Sequence, residues 1–263
     1  MIELSKEDKE QCLSQGLKRI ELERIVDSED VDFYLDFLKI QGLGLIEENY
    51  RYYPRQLFNR IEEISFCIVD IETNGSDFKK NQIIELGAVM VKDGIVTDTF
   101  NSLIQAQSLP DSIARLTGIT LNELLKAPPF KEVIHQFKNF AKDEIIVAHP
   151  LKFDYNFISE SFEKADLGMM LNLGICSISL AEKTLSSAKY GLNYLNETLN
   201  LVEDFQQHRA YNDAVITHKI FQKSLENLPK EVRTVKDLLN FIKTAKKMPR
   251  AALVDNRSNE SKN

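Results

Sequence analysis

The sequence predicts an α/β protein: a mixed central sheet with helices on both faces, preceded by a small helical module. Three observations lead there. Residues 64–71 form an almost continuous apolar run, suited to a strand covered on both faces. Residues 83–91 and 95–104 flank Lys92-Asp93-Gly94, a turn signal that pairs them as an antiparallel hairpin. Beyond them strand-like and helical patterns alternate, giving the order β-β-β-α-β-α-α.

Residues 1–62 read as a unit of their own. Ser5 with Asp8 three positions on is a capping-box-like start, and Gly16 is a stop. A second helix is expected over 17–26. Ser28, Glu29 and Asp30 open a third, in which Val31, Tyr34, Leu35 and Leu38 follow i, i+3, i+4, i+7. Gly42 and Gly44 end it. Leu45-Ile46, a polar Glu47-Glu48-Asn49 tip and Tyr50 to Tyr53 then predict a short hairpin closed by Pro54. Three helices and a hairpin resemble a winged-helix module; the alternative is a helical cap docked on the domain that follows.

Residues 63–228 form the central domain. After the first three strands, helices are expected over 110–116, 121–125 and 130–140, a short buried strand over 145–148, and a helix over 151–162. Shorter helices over 177–185 and 192–199 precede a long one over 210–225. Pro229 breaks it. The segment 229–263 is basic, with one amphipathic helix over 235–245 carrying Leu238, Leu239, Phe241 and Ile242, and a tail from Asp255 of disordered composition.

Apolar residues make up 43% and charged residues 28% of the 263, the balance of an ordinary globular protein. No apolar run approaches the roughly 20 residues of a membrane span. The first residues lack the basic and apolar regions of a secretory signal. Cys12, Cys67 and Cys176 are odd in number and lack metal-ligand spacing, so reduced thiols and a cytoplasmic setting are expected. Residues 1–62 carry 9 basic and 14 acidic side chains, residues 63–228 carry 15 and 22, and residues 229–263 carry 9 and 4. An acidic central domain binds long duplexes poorly unaided, because affinity comes from neutralising phosphates. Bound cations would invert the field locally.

Four carboxylates stand in three motifs. Asp70 and Glu72 lie in Val-Asp-Ile-Glu-Thr-Asn-Gly, Asp154 in Ala-His-Pro-Leu-Lys-Phe-Asp, and Asp213 in His-Arg-Ala-Tyr-Asn-Asp. Asp70 and Glu72 alternate in a strand and so point to one side at its carboxyl end, where open α/β sheets place their sites. Asp154 falls early in the helix after the 145–148 strand, with Phe153 and Phe157 as its expected core anchors. Asp213 falls near the start of the long helix. Carboxylates that converge in a cleft repel unless a hard divalent cation holds them, and such a cation serves phosphoryl chemistry. His208, in the connection before the long helix, has the chemistry of a general base near pH 7.

The ordered set Asp-x-Glu, Phe-Asp and His-x-x-x-x-Asp resembles the three motifs of the DEDDh 3′→5′ exonuclease family, on a ribonuclease-H-like fold. The resemblance covers about residues 64–228. Its connecting stretches, including Leu116-Thr117-Gly118-Ile119-Thr120, Pro128-Pro129-Phe130 and Val147-Ala148-His149, are most similar to the proofreading epsilon subunit of bacterial DNA polymerase III and the exonuclease domain of the Gram-positive replicative polymerase. The resemblance implies two Mg²⁺ or Mn²⁺ ions held by Asp70, Glu72, Asp154 and Asp213, with Asp70 bridging and His208 deprotonating water. It also implies substrate contacts from Thr73 and Phe153, single-stranded DNA 3′ ends as substrate, and a DNA polymerase III catalytic subunit as partner. Pro150 departs from the family, which has Asn after the His of its second motif; this puts a nucleotide contact or the loop geometry in question.

The alternatives are an exoribonuclease that trims RNA ends and a DNA-binding regulator acting through residues 1–62. The second requires a basic recognition helix, and the third helix carries Asp32 and Asp36 against Lys39. His135, His149 and His218 read as structural. Tyr50, Tyr52, Tyr53, Arg51 and Arg55 suit either stacking on single strands or packing of the hairpin on its own module.

Overall fold

The computed structural model describes residues 4–203, 206 and 208–252; the tail expected from Asp255 lies outside them. The central sheet has five strands in the order β5-β4-β3-β6-β7. At its middle is β3 (Ser65–Thr73), antiparallel to β4 (Ile83–Lys92), which is antiparallel to β5 (Ile95–Leu103). On the other side β6 (Ile145–Ala148) runs parallel to β3, and β7 (Gly174–Cys176) parallel to β6. Asp93 and Gly94 turn the β4–β5 hairpin with φ of 50° and 72°, the left-handed pair such a tight connection requires. The sequence reading missed β7. Its three residues show no periodicity, and pairing with β6 is what makes them a strand.

The alternation along β3 sorts the two faces. Cys67, Val69 and Ile71 face α6 (Phe130–Ala141) and α7 (Leu151–Lys164), packing against Phe137, Phe157 and Phe162. Phe66 and Ile68 face the opposite layer, where Leu180 of α8 (Ser177–Thr184), Phe221 of α10 (Ala210–Glu226) and Leu238 of α11 (Val235–Thr244) complete a second core. Asp70 and Glu72 continue this even-numbered row. Of the other helices of this domain, α4 (Asp111–Thr117) and α5 (Leu121–Lys126) pack by Ile113 and Leu124 near Ile84 of β4, and α9 (Leu192–Leu199) packs by Leu195 on α8 and α10.

The N-terminal residues fold as α1 (Lys6–Ser14), α2 (Arg19–Val26), α3 (Val31–Ile40) and a hairpin of β1 (Leu45–Glu48) and β2 (Arg51–Pro54). The capping box forms: the Asp8 amide donates to Ser5 Oγ at 3.0 Å and the Ser5 amide to Asp8 Oδ2 at 3.3 Å. Two boundaries differ from expectation. Leu17 is not helical, because it exchanges backbone hydrogen bonds with Tyr52 of the hairpin (2.9 and 2.7 Å). Asp30, not Ser28, caps α3, accepting from the Phe33 amide.

Packing explains most of the aromatic and basic hairpin residues. Tyr52 is buried beside Leu17, Leu22 and Leu38. Tyr53 donates to the Gln15 carbonyl, Arg51 to the Gly16 carbonyl, and Arg55 to Asp143 and Glu144. Tyr50 alone of the five points fully outward, at the turn. Cys12, Cys67 and Cys176 are unpaired, and among the described residues no helix is long and apolar enough to cross a membrane.

Candidate active site

At the carboxyl end of β3 lies a cleft of about 370 Å³ lined by Asp70, Glu72, His149, Pro150, Phe153, Asp154, Tyr194, His208 and Asp213. The four carboxylates and the histidine expected to act together therefore share one space, drawn from β3, α7, α10 and the loop before α10. Thr73 does not line it. The Thr73 hydroxyl donates to the Gly75 carbonyl at 2.7 Å, within the turn that ends β3.

Each element is aimed by a local device. Asp154 sits in the first turn of α7, only 3% exposed. The residues just before α7 are held by His149, whose Nε2 donates to the Tyr190 carbonyl at 2.8 Å and whose Nδ1 faces Ser177 Oγ at 2.7 Å. Burial pushes the His149 imidazole down to about 4, so the ring is neutral and acts as a strut. Phe157 is buried as expected. Phe153 is not a core anchor: it is 36% exposed, lines the cleft, and has its ring 4.9 Å from that of Phe157. One helical position separates an inward side chain from an outward one, which the apolar pattern alone does not resolve.

The loop carrying His208 and the start of α10 are fixed from β4. Glu85, 1% exposed and paired in register with Glu72, receives Nε and Nη2 of Arg209 at 3.1 and 2.7 Å and the Ala210 amide at 3.1 Å. Two residues on, Gly87 lets α10 lie directly against the strand; a Cβ there would stand 2.1 Å from the Tyr211 nitrogen. The sequence reading missed both. Their signal was present as a lone carboxylate and a glycine inside Ile-Ile-Glu-Leu-Gly, since a charge in a buried strand needs a partner. Asp213 then falls one turn into α10, and His208 adopts a left-handed φ of 58° beside it.

The electrostatics are those of crowded like charges. Burial raises Asp70 well above the usual carboxylate range, and Asp154, Asp213, Glu72 and Glu85 raise it further. Asp154 is pushed up to about 8 by burial and by Glu72. Glu72 is pushed to about 7 by burial, Asp213 and Glu85, against the pull of Arg209. Asp213 reaches about 6 through burial and Glu85, opposed by a backbone hydrogen bond from His208. Among the described residues no ion pair joins a cation to the four carboxylates, and Arg209, which tempers Glu72, is committed to Glu85. The Asp213 Oδ1 is buried without a hydrogen-bond partner. Glu72, His208 and Asp213 each offer a ligand atom, all within 4.8 Å of one another. Hard oxygen donors, mutual repulsion and an orphaned oxygen fit a divalent cation. Asp70 and Asp154 lie outside that tightest trio but line the same cleft.

Of the other histidines, His135 is exposed on α6, and His218 is buried with Nδ1 unpartnered, pushed down to about 4 by burial. Neither lines the cleft.

Residues 67–221 match the RNase T family model, described as an exonuclease. The chain is 35% identical over 166 residues to DNA polymerase III subunit epsilon of Aquifex aeolicus, spanning 62% of this chain and 82% of that protein. It is 36% identical over 171 residues to the PolC-type DNA polymerase III of Staphylococcus haemolyticus, spanning 64% of this chain but 12% of that much longer protein. Escherichia coli exonuclease I in complex with a dA16 oligonucleotide shares the fold, with a TM-score of 0.58 at 14% identity over 68% of this chain and 43% of the other. With the family's match covering more than half of the chain, this protein belongs to the RNase T exonuclease family and is a homologue of DNA polymerase III subunit epsilon.

Proposed function

We propose that this protein is a metal-dependent 3′→5′ exonuclease that removes nucleotides from single-stranded DNA ends and serves as a proofreader beside a DNA polymerase III catalytic subunit. The observation that supports this reading is the meeting of Asp70, Glu72, Asp154, Asp213 and His208 in one cleft. Two Mg²⁺ or Mn²⁺ ions held by the four carboxylates would supply activation of the attacking water and stabilisation of the leaving 3′ oxygen.

The chain's own residues do the rest. His208, partly exposed beside Glu72 and Asp213, accepts the proton of the attacking water. Phe153 offers an aromatic face to the terminal base. No substrate contact is assigned to Thr73, which does not line the cleft and whose hydroxyl is committed to the turn. Glu85 and Arg209 hold His208 and Asp213 in register, and neither lines the cleft. The regulator reading finds no support in α3, which exposes Phe33, Phe37 and Ile40 beside Asp32 and Asp36. That row suits a protein contact, and we place the polymerase there.

The test is release of mononucleotides from matched 5′-labelled DNA and RNA oligonucleotides with Mg²⁺, Mn²⁺ or chelator. The proposal expects metal-dependent shortening from the 3′ end, faster on DNA and lost in Asp70→Ala. Faster shortening of RNA would assign the exoribonuclease function instead. Metal-independent activity would remove the mechanism.

A further inference from the structure

The segment after α11 is anchored along the molecule rather than trailing from it. The Met248 amide donates to the Glu182 carbonyl at 2.7 Å, and Lys247 pairs with the Glu182 carboxylate at 2.5 Å. Lys183 Nζ donates to the Ala245 carbonyl, and Ser186 Oγ to the Pro249 carbonyl at 2.9 Å. This strap lies outside the residues that match the exonuclease family, which end at 221.

At Arg250 the strap reaches residues 188–190, which lead directly into the cleft-lining residues 191–194. Arg250 Nη1 donates to the Ala188 carbonyl at 3.1 Å, and its guanidinium stands 6.0 Å over the Tyr190 ring. The neighbouring Lys189 Nζ stands 5.8 Å over the ring of Tyr194. Tyr194 lines the cleft, and the Tyr190 carbonyl is the one that receives His149. Both cations are exposed.

A solvated surface charge needs no such anchoring. Here two cations are held over aromatic faces beside a strongly acidic cleft that a polyanion has to approach. One face is that of Tyr194 of the cleft itself, and the other that of Tyr190, next in sequence to the cleft-lining Gly191. Screening acts within about 8–10 Å at ordinary ionic strength, so distant charges cannot offset the repulsion. A guanidinium fixed through one nitrogen keeps its others free for phosphate oxygens. An aromatic ring beside such cations is the arrangement that holds single strands irrespective of sequence.

We infer that the C-terminal strap completes the substrate path: Lys189 and Arg250 bind the phosphates of a single strand upstream of its 3′ end, with Tyr194 as a stacking face. This rests on the exonuclease reading above. It assigns the strap to the nucleic acid rather than to a protein partner.

The test compares the full chain with Lys189→Ala/Arg250→Ala and with the charge-preserving Lys189→Arg/Arg250→Lys. Two substrates are used: a thymidine 12-mer and the p-nitrophenyl ester of thymidine 5′-monophosphate, which has no upstream phosphates. In the alanine variant KM for the 12-mer rises about tenfold at low salt, and the slope of log KM against log salt falls by about 1.4, or about 0.7 per lost phosphate contact. Its kcat and its turnover of the ester are unchanged, and the charge-preserving variant restores the 12-mer KM. An unchanged 12-mer KM overturns the inference. So does an equal loss on both substrates, which would show the strap merely bracing the wall. If the unaltered chain hydrolyses neither substrate, the exonuclease reading itself falls. Fluorescence anisotropy of the labelled 12-mer then decides the rim separately: equal binding by unaltered and alanine chains refutes it, and weaker binding by the alanine variant supports it.

Discussion

Glu85 and Arg209 lie 124 positions apart in the chain yet form the joint on which the site turns, with both oxygens of Glu85 engaged by Arg209 and the Ala210 amide. Arg209 sits between His208 and the first residue of α10, so the pair sets where the loop ends and the helix begins. Replacing Glu85 with Ala leaves a guanidinium and a helix-start amide without partners. Arg209 is 32% exposed, and water therefore recovers part of the loss. Unfolding in urea should show Glu85→Ala destabilised by about 2 kcal/mol, and kcat should fall with it although no metal ligand has been changed.

Gly87 is predicted to be intolerant of the smallest substitution. In Gly87→Ala the new methyl meets the backbone of Tyr211 and Ala210, which cannot swing aside as a side chain would. The helix must shift, carrying Asp213 away from β3. A melt of this variant should show lost stability, and metal binding by calorimetry should weaken in parallel.

Removing one of the repelling carboxylates should separate stability from activity. Asp70→Asn takes a charge from the most crowded position, so the metal-free variant should melt at a higher temperature than the unaltered chain. Its exonuclease rate should fall by about 10³-fold if, as proposed, the same carboxylate is a ligand of the cation. A metal-free variant no more stable than the parent would contradict the crowding.

The pH dependence follows from the same groups. Glu72, Asp154 and Asp213 have folded values of about 7, 8 and 6, all above those of an unfolded chain. The folded state therefore binds more protons over this range, and the metal-free protein should lose stability as pH rises from about 4 to about 8. Cations compete with those protons, so the rise in melting temperature on adding Mg²⁺ should be larger at pH 8 than at pH 6. Calorimetric scans in chelator and in Mg²⁺ at both pH values check the two statements together.

Much of this was legible from the chain because it obeys local rules. The even row from Phe66 to Glu72 follows from strand alternation, and the helices carrying Asp154 and Asp213 follow from their apolar spacing. What escaped was settled by neighbours distant in sequence. Gly174-Ile175-Cys176 is a strand because β6 offers it an edge. Leu17 leaves α2 because Tyr52 competes for its backbone. Glu85 needed Arg209, and Phe153 is left half-exposed because the core beneath α7 is filled by Phe157, Ile158 and Phe162.

The first sixty residues and the catalytic region do not own separate interiors. Leu171 is buried among Leu22, Leu38 and Tyr52, its amide donating to the Gln41 carbonyl at 2.7 Å, while Asn172 occupies the space a side chain at Gly42 would need. Severing the polypeptide near residue 62 would thus strip a greasy patch bare on the nuclease half and leave the other half missing a wall. A polymerase docked on α3, as proposed, would by the same token pull on the scissors through this shared wall.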